Sequence, residues 1–314
     1  MVAKSREYKK RKAMDALFYA SFMVIPVISF LVFYVYVNLD SFVMAFQKPE
    51  DGKLVFAALE NFEWFFRQLK NGSVDDVDNL RLAFVNTFKT FGVQMLLFPV
   101  GLFVSYFIYK KIFGYKAFRV IFYLPTLISG VVVSYFYRQL MQYGFVPDFL
   151  QNLYHLDYTL DNPLADSDFA NKMVLLHFIW LNFPGSLIIW GGTFSRIPES
   201  VLESARLDGV NWVQEMFLII LPLVWPTFVL MVTLQLAGVF GSSGAVFLLT
   251  NGGEWGTQTV SNWMYVKIKN ASNPFESHTL YYVAAMGLML TAISCAIAIL
   301  VRKFLVNKIE ETTY

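Results

Sequence analysis

Six long apolar segments divide the chain, and none of them contains Asp, Glu, Lys or Arg. They cover residues 16–37, 90–109, 120–137, 173–193, 216–240 and 279–301. A helix needs about 20 residues to cross a bilayer, and a backbone in lipid must form its hydrogen bonds internally. The pattern therefore predicts an all-α integral membrane protein with six transmembrane helices, of which 120–137 is the shortest. Buried helices of a soluble protein would show a polar face, and these segments have none.

The charges between the apolar segments alternate in sign. Residues 1–12 sum to +5 and residues 110–119 to +4, whereas 38–82 and 138–172 each sum to −3. Because short cytoplasmic segments are enriched in Lys and Arg, both basic segments are expected in the cytoplasm. An even number of spans then predicts that both termini are cytoplasmic, in agreement with the basic residues Arg302, Lys303 and Lys308.

The composition agrees with a membrane protein and excludes several other classes. Of 314 residues, 56% are hydrophobic and only 15% are charged, whereas soluble domains carry about 25% charged residues. A net charge of +2 gives no reason to expect a nucleic-acid partner. The single cysteine excludes an intramolecular disulfide, and the three scattered histidines do not have the spacing of a metal site.

Two features near the N-terminus have more than one interpretation. No small-residue cleavage site follows the first apolar segment at 38–40, which favours a retained membrane anchor over a secretory signal. The segment 38–82 mixes aromatic and charged residues around Phe62 and Trp64. It is expected to form either a short amphipathic helix at the membrane surface or a simple packed loop.

The loop between the fourth and fifth spans breaks the charge pattern. It is expected to be cytoplasmic, yet residues 194–215 sum to −2. Pro198 and Glu199 suit a first helical turn, and Gly209 suits a left-handed helix end. A second helix is predicted to begin near Asn211 and run into the fifth span. This helix, turn and helix would form either a knob that another protein grips or a connector lying on the membrane.

The same loop carries a family resemblance. It resembles the EAA signature of permease subunits from binding-protein-dependent ABC importers, which reads E-A-A, three residues, G, nine residues, I-x-L-P. The matching residues are Glu203, Ser204, Ala205, Gly209, Ile219, Leu221 and Pro222, with Ser204 in place of the first alanine. Asp208 before the glycine resembles the carbohydrate branch, which includes MalF and UgpA-type members. Weaker similarities in the same order are Asn86-Thr87, Arg119 with Leu124-Pro125, and Leu249-Thr250-Asn251-Gly252-Gly253.

The resemblance implies a type I ABC importer permease fold, with residues 1–314 as one permease domain and 194–222 as its cytoplasmic coupling loop. In such a loop Glu203 pairs with a basic residue of the ATPase, Ala205 packs closely and Gly209 makes the turn, while Ser204, Asp208 and Ile219 complete the signature. Leu221 and Pro222 set the angle of entry into the fifth span. The chain contains no phosphate-binding G-x-x-x-x-G-K-[ST] loop. ATP and Mg²⁺ are therefore expected on a separate ATPase dimer, with no cofactor in this chain.

The expected partners are that ATPase dimer, a second and different permease subunit, an extracellular or periplasmic solute-binding protein, the lipid bilayer and a carbohydrate, with an oligosaccharide favoured. The expected location is the plasma membrane of a bacterium or archaeon. Candidate residues for the substrate pathway are Gln235, Ser242, Ser243, Asn251, Trp255, Trp180, Asn182 and Trp190. His177, in the fourth span, is expected to form a hydrogen bond to a neighbouring helix rather than to relay protons.

Three alternatives remain at this point. An ABC permease for a non-sugar solute would carry the same loop. An ion-coupled secondary transporter would place charged residues inside its spans, and these spans have none. A membrane enzyme would need a clustered nucleophile, acid and base, whereas the outer loops show only dispersed acids such as Asp148, Asp157 and Asp161.

Overall fold

The computed structural model describes residues 2–71, 79–156, 158–241, 245–271 and 277–306. Ser242, Ser243, Asp157 and Lys308 lie outside the described residues. The chain begins with helices α1 (Val2–Phe30) and α2 (Val37–Ala45), joined by a π-helical stretch at Leu31–Tyr36. A hairpin of β1 (Gln47–Glu50) and β2 (Lys53–Phe56) and helix α3 (Glu60–Asn71) follow.

The remaining elements are helical. They are α4 (Leu80–Tyr109), α5 (Tyr115–Leu127), α6 (Gly130–Tyr143), α7 (Val146–Tyr154), a 3₁₀ turn (Pro163–Ala165), α8 (Ala170–Phe194), α9 (Glu199–Leu207), α10 (Trp212–Gln214), a π-helix (Glu215–Ile220), α11 (Leu221–Ala237), α12 (Val246–Leu249), α13 (Val260–Asn270) and α14 (Thr279–Val306). The all-α prediction is confirmed apart from the small hairpin.

Five of the six predicted spans coincide with helical segments that are long and apolar enough to cross a membrane. Within the described ranges these are Met14–Ala45, Leu80–Tyr109, Ala170–Phe194, Trp212–Ala237 and Thr279–Val306. Pro26, Pro99, Pro184 and Pro226 lie inside these helices without ending them. Membrane helices tolerate such prolines because neighbouring groups satisfy the freed carbonyls.

The third predicted span, 120–137, is broken. Helices α5 and α6 meet at 103°, with Ile128 in an extended conformation between them. Pro125, inside the last turn of α5, removes one helical hydrogen bond, and Ser129 and Gly130 at the start of α6 have low helix propensity. The pair counts as a sixth candidate span only as a bent one.

The chain divides into two compact units, residues 1–65 with 271–288 and residues 66–270 with 289–314. In the first unit, the buried Asn61 side chain donates 2.8 Å hydrogen bonds to the carbonyls of Ala45 and Gln47. Trp64 stacks on Tyr282 with ring centroids 4.7 Å apart. The helix at Glu60–Asn71 agrees with the first of the two interpretations of segment 38–82, although its position relative to a membrane stays a prediction.

The second unit contains two apolar clusters. We call the first the loop-side core; it joins α4, α8 and α11 to the loop between α8 and α11, and consists of Phe98, Leu102, Tyr106, Trp190, Phe194, Ile197, Leu202, Met216, Ile220 and Val224. The second cluster joins α6, α7, α8 and α12. The loop-side core is the support on which the candidate site is built. The single-domain organisation of residues 1–314 stays a prediction.

Candidate coupling loop and cavities

The 194–222 loop begins with a short helix whose inner face is buried. Pro198 precedes α9 with an extended backbone, where its missing N–H costs no helical hydrogen bond. Glu199 follows in the first turn, where a carboxylate interacts favourably with the helix dipole. Leu202 and Ala205 lie three residues apart on one face and are buried. The predicted short helix before Gly209 is confirmed.

Gly209 ends this helix in the predicted left-handed conformation, with φ +73°. The N–H of Val210 donates to the carbonyl of Ala205, and the N–H of Gly209 donates to that of Arg206, both at 3.1 Å. This pattern is typical of helix C-termini that close on a glycine. A Cβ atom at Gly209 would meet no described atom within 4 Å. Backbone conformation therefore explains the glycine, whereas crowding within this chain does not.

The helix after the turn begins with a capping box at Asn211. The side-chain oxygen of Asn211 accepts from the N–H groups of Val213 and Gln214, and the Gln214 side chain accepts from the N–H of Asn211 at 3.0 Å. Such reciprocal bonds satisfy donors that a helix N-terminus otherwise leaves free. The predicted start near Asn211 is confirmed.

A π-helical turn at Glu215–Ile220 connects this start to α11. The predicted helical stretch from Asn211 into the fifth span is present, but the π turn within it was not predicted. Such turns are frequent at functional sites. Met216 and Ile220 are completely buried in the loop-side core. Ile219, Leu221 and Pro222 are half-buried at the entry to α11. Apolar packing thus holds this side of the loop.

The opposite face of the loop is exposed and polar. Glu203, Ser204, Asp208 and Gly209 are exposed. The Ser204 hydroxyl donates to the carbonyl of Ser200 at 2.9 Å, and among the described residues none pairs with Glu203. Leu207, which the sequence analysis did not select, is 89% exposed at the end of the helix. The exposed end of this helix thus presents carboxylates together with one apolar side chain.

Asn182 and Gln235, two of the predicted pathway residues, border the same cavity between α4, α8 and α11. The cavity has a volume of about 180 Å³ and is bordered by the polar side chains Gln94, Asn182, Ser186 and Gln235. The side-chain oxygen of Gln235 is buried and forms no hydrogen bond with any described residue. The sequence analysis missed Gln94 and Ser186, although their polarity inside apolar segments was a usable signal. The arrangement offers amide and hydroxyl groups to a polar ligand.

A second cavity, of about 400 Å³, lies beside the break in the third span. Ser129, Ser134, His177 and Asn182 line it, so Asn182 borders both cavities. His177 is completely buried, yet neither ring nitrogen bonds to a described residue. Its ring contacts that of Tyr137 edge-on, with centroids 4.8 Å apart. The expected hydrogen bond from His177 to a neighbouring helix is therefore wrong.

The other pathway candidates lie elsewhere. Trp180 borders an apolar cavity of about 500 Å³. Trp190 is fully buried in the loop-side core, and its indole N–H donates to the carbonyl of Phe98 at 3.1 Å; its packed ring does not fit the predicted role. Asn251 and Trp255 are exposed in the glycine-rich loop that follows α12. Ser242 and Ser243 fall outside the described residues.

The glycine-rich loop, residues 249–260, is fixed by the Asn86-Thr87 pair of α4. The Asn86 side chain donates to the carbonyls of Gly256 and Gln258 at 2.7 and 2.9 Å, and the Thr87 hydroxyl accepts from the N–H of Val260 at 2.9 Å. Within the loop, Gly253 has φ +109° and no room for a Cβ beside Gln258. Two motifs far apart in the sequence are therefore one structural unit.

A model of the family described as binding-protein-dependent transport system inner membrane component matches residues 97–311. The chain belongs to this family. The match contains the whole 194–222 loop, both polar cavities in large part and the glycine-rich loop. Together with its apolar helices, it makes the chain a multi-pass membrane protein and agrees with a transporter subunit rather than an ion-coupled carrier.

Similar curated family members include three sugar permeases. The arabinooligosaccharides transport system permease protein AraP of Bacillus subtilis is 26% identical over 74% of this chain and 71% of its own length. The multiple sugar-binding transport system permease protein MsmF of Streptococcus mutans is 23% identical over 64% of this chain and 67% of its own. MalF of Vibrio vulnificus, a maltose/maltodextrin transport system permease protein, is 26% identical over 46% of this chain but only 28% of its own length.

Solved structures confirm the permease fold. A chain of a bacterial ABC transporter that imports the acidic polysaccharide alginate superimposes with a TM-score of 0.72 at 20% identity, covering 97% of this chain and 100% of that chain. A second structure of an alginate transporter, in complex with an alginate pentasaccharide-bound periplasmic protein, gives a TM-score of 0.70 at 20% identity over 93% and 94% of the two chains. At this identity the likeness shows the fold alone.

Proposed function

We propose that the chain is a permease subunit of an ATP-driven ABC importer that translocates an oligosaccharide delivered by an extracellular or periplasmic solute-binding protein. Family membership supports the importer class, and the sugar permeases AraP, MsmF and MalF support the substrate class. The proposed location is the plasma membrane of a bacterium or archaeon.

The observation that carries this proposal is the two-sided construction of the 194–222 loop. One side, with Leu202, Ala205 and Met216, is buried in this chain, while Glu203 on the other side is exposed and has no described partner. A rigid element that presents an unpaired carboxylate fits a recognition surface for a basic partner residue. We assign this partner to a separate ATPase dimer that carries ATP and Mg²⁺, because the chain itself has no phosphate-binding loop.

The rigidity of the loop explains how it would transmit work. Closure of the ATPase dimer would move α9 as a body, and the loop-side core would carry that displacement into α4, α8 and α11. Packed helices have a few discrete arrangements, so a small shift at the loop would switch them between an inward-open and an outward-open state. Glu203 would be the charged contact, while Gly209 would make the turn that presents it.

The charge distribution supports a cytoplasmic position for this loop. The segment 110–119 carries +4, and the loop belongs to the same side if the spans alternate. The same alternation would put both termini in the cytoplasm. A second, different permease subunit would complete the pathway.

The polar cavities support a carbohydrate as cargo. Hydroxyl-rich ligands need donors and acceptors at fixed positions, and Gln94, Asn182, Ser186 and Gln235 supply both kinds around one cavity. The unpaired, buried oxygen of Gln235 is an acceptor for a sugar hydroxyl. A substrate that satisfies such a group recovers the free energy lost by burying it.

The test uses the complete importer in proteoliposomes. ATP hydrolysis is measured with solute-binding proteins loaded with defined oligosaccharides, and separately with amino-acid-loaded or peptide-loaded binding proteins. The proposal predicts stimulation by an oligosaccharide-loaded protein and loss of uptake in Gln235→Leu, with Ile188→Leu on the exposed side of α8 as a control. Stimulation only by a non-sugar cargo would leave the importer class standing and refute the carbohydrate assignment.

A further inference from the structure

A buried ion pair joins the end of α4 to the loop. The Nζ atom of Lys110, the residue that caps α4, lies 2.5 and 2.7 Å from the two carboxylate oxygens of Glu215. The two residues are 105 positions apart in the sequence. The Glu215 side chain is 4% exposed and that of Lys110 is 20% exposed. The pair is therefore an internal contact and does not belong to the exposed face of α9.

Glu215 stands at the start of the π-helical turn, directly after the Asn211 capping box. The charged group is thus fixed to the rigid arm that leads back to Gly209. On the other side, the Lys110 ammonium lies 5.6 Å from the centre of the Tyr106 ring, one helical turn earlier in α4. Both partners are held by ordered neighbours, as a directional contact requires.

The loop-side core adds apolar contacts between α4 and the loop. Phe98, Leu102 and Tyr106 pack against Met216 and Ile220 in the loop-side core. Apolar packing is non-directional, so a change of register within it leaves no polar group unpaired. A charge-assisted hydrogen bond in a poorly hydrated position fixes one register, because displacement leaves a buried carboxylate unpaired.

We propose that Lys110 and Glu215 form a positioning pair that locks α4 to the loop, so that displacement of α9 moves α4 with it. This inference rests on the proposed function. It also explains part of the acidic charge of residues 194–215: Glu215 is neutralised inside the chain, whereas Glu199, Glu203 and Asp208 remain exposed for a partner.

The experiment measures substrate imported per ATP hydrolysed by the full importer in proteoliposomes, with thermal stability measured in parallel. The variants are Lys110→Met, Glu215→Gln, the neutral double variant Lys110→Met with Glu215→Gln, and the reversed double variant Lys110→Glu with Glu215→Lys. Lys111→Met is the matched control, because Lys111 is the neighbouring lysine and is exposed.

Both single variants and the neutral double variant are expected to lower import per ATP by about twofold to thirtyfold, the range found for residues that couple two sites. The reversed pair is expected to regain at least half of the wild-type ratio, and Lys111→Met to leave it unchanged. The neutral double variant is decisive, because removing both buried charges restores stability without restoring the directional contact.

Wild-type import per ATP in a stable neutral double variant would overturn the inference and reduce the pair to a stabilising contact. A reversed pair as stable as wild type but with no recovery would overturn it as well. In both cases the proposed function would stand, because the wild-type importer would still couple ATP to uptake. Absence of ATP-driven uptake in the wild type would instead refute the proposed function, and the inference would fall with it.

Discussion

The 194–222 loop and the glycine-rich loop use glycine for opposite reasons. Gly209 and Gly253 both have positive φ, but a Cβ at Gly209 would meet open space, whereas one at Gly253 would collide with Gln258. The glycine-rich loop is held by buried side chains of α4, and the polar tip of the 194–222 loop is held by none. Glu203, Ser204, Asp208 and Gly209 of the first loop are therefore exposed. Gly253 of the second loop is instead needed for packing.

The largest expected effect is on folding, at Gly253. Gly253→Ala adds an atom where there is no room and also forces a left-handed conformation on alanine, which together cost about 3 kcal/mol or more. Thermal unfolding in detergent measures the loss. Gly209→Ala is the matched control, because only the conformational cost of about 1–2 kcal/mol applies there. If Gly253→Ala and Gly209→Ala lost the same stability, crowding would not distinguish the two glycines.

Asn86→Ala tests whether α4 fixes the glycine-rich loop. It removes a buried donor that serves two carbonyls. The Gly256 carbonyl keeps its bond from the Asn171 side chain, whereas the Gln258 carbonyl loses this one, so a loss of about 1–2 kcal/mol is expected. The control, Asn182→Ala, removes an exposed side chain that donates only within its own helix, and its stability should stay within about 0.5 kcal/mol of wild type. A wild-type melting temperature for Asn86→Ala would argue against this link.

Gly209→Val separates folding from function at the turn of the 194–222 loop. A β-branched residue at φ +73° is strained by about 2 kcal/mol, so the protein should insert into the membrane with reduced stability. Uptake coupled to ATP hydrolysis should be lost, because the turn can no longer present α9 to the ATPase. Normal ATP-dependent uptake in this variant would count heavily against the assignment of the loop.

Glu203→Ala has the smallest expected effect on stability and a large one on function. Glu203 is exposed and unpaired within the described chain, so the change in stability should stay within about 0.5 kcal/mol. ATP hydrolysis should no longer drive uptake. Glu254→Ala, which removes an exposed carboxylate from the glycine-rich loop, should leave uptake unchanged. Loss of uptake in both variants would point to a general charge effect.

Local signals in the sequence were sufficient for most of the 194–222 loop. Pro198, Gly209 and Asn211 act on their own backbone, so the helix, the turn and the second helix could be predicted from residue type and spacing. The spans followed from length and absence of charge. Pro125 alone could not predict that the third span is broken, because four other prolines in similar settings leave their helices intact.

Contacts between distant segments could not be predicted. Asn86 and Gly256 are 170 residues apart, and Lys110 and Glu215 are 105 apart; no periodicity in the sequence joins such pairs. Trp190 and Asn182 lie in the same span, yet Trp190 belongs to the core and Asn182 lines a cavity. Only the packing of the folded chain distinguishes the two. The π turn at Glu215–Ile220 likewise depends on tertiary contacts.

The central claim is that the exposed face of α9 contacts the ATPase subunit, and cross-linking from that face tests it most directly. Cys295 is the only cysteine, so Cys295→Ser gives a cysteine-free chain into which Ser204→Cys or Glu254→Cys is introduced, each at an exposed position. A photoactivatable maleimide is then attached in the assembled importer. The account predicts an adduct with the ATPase subunit from position 204 and none from position 254. An adduct from position 254 alone, or none from position 204, would contradict it.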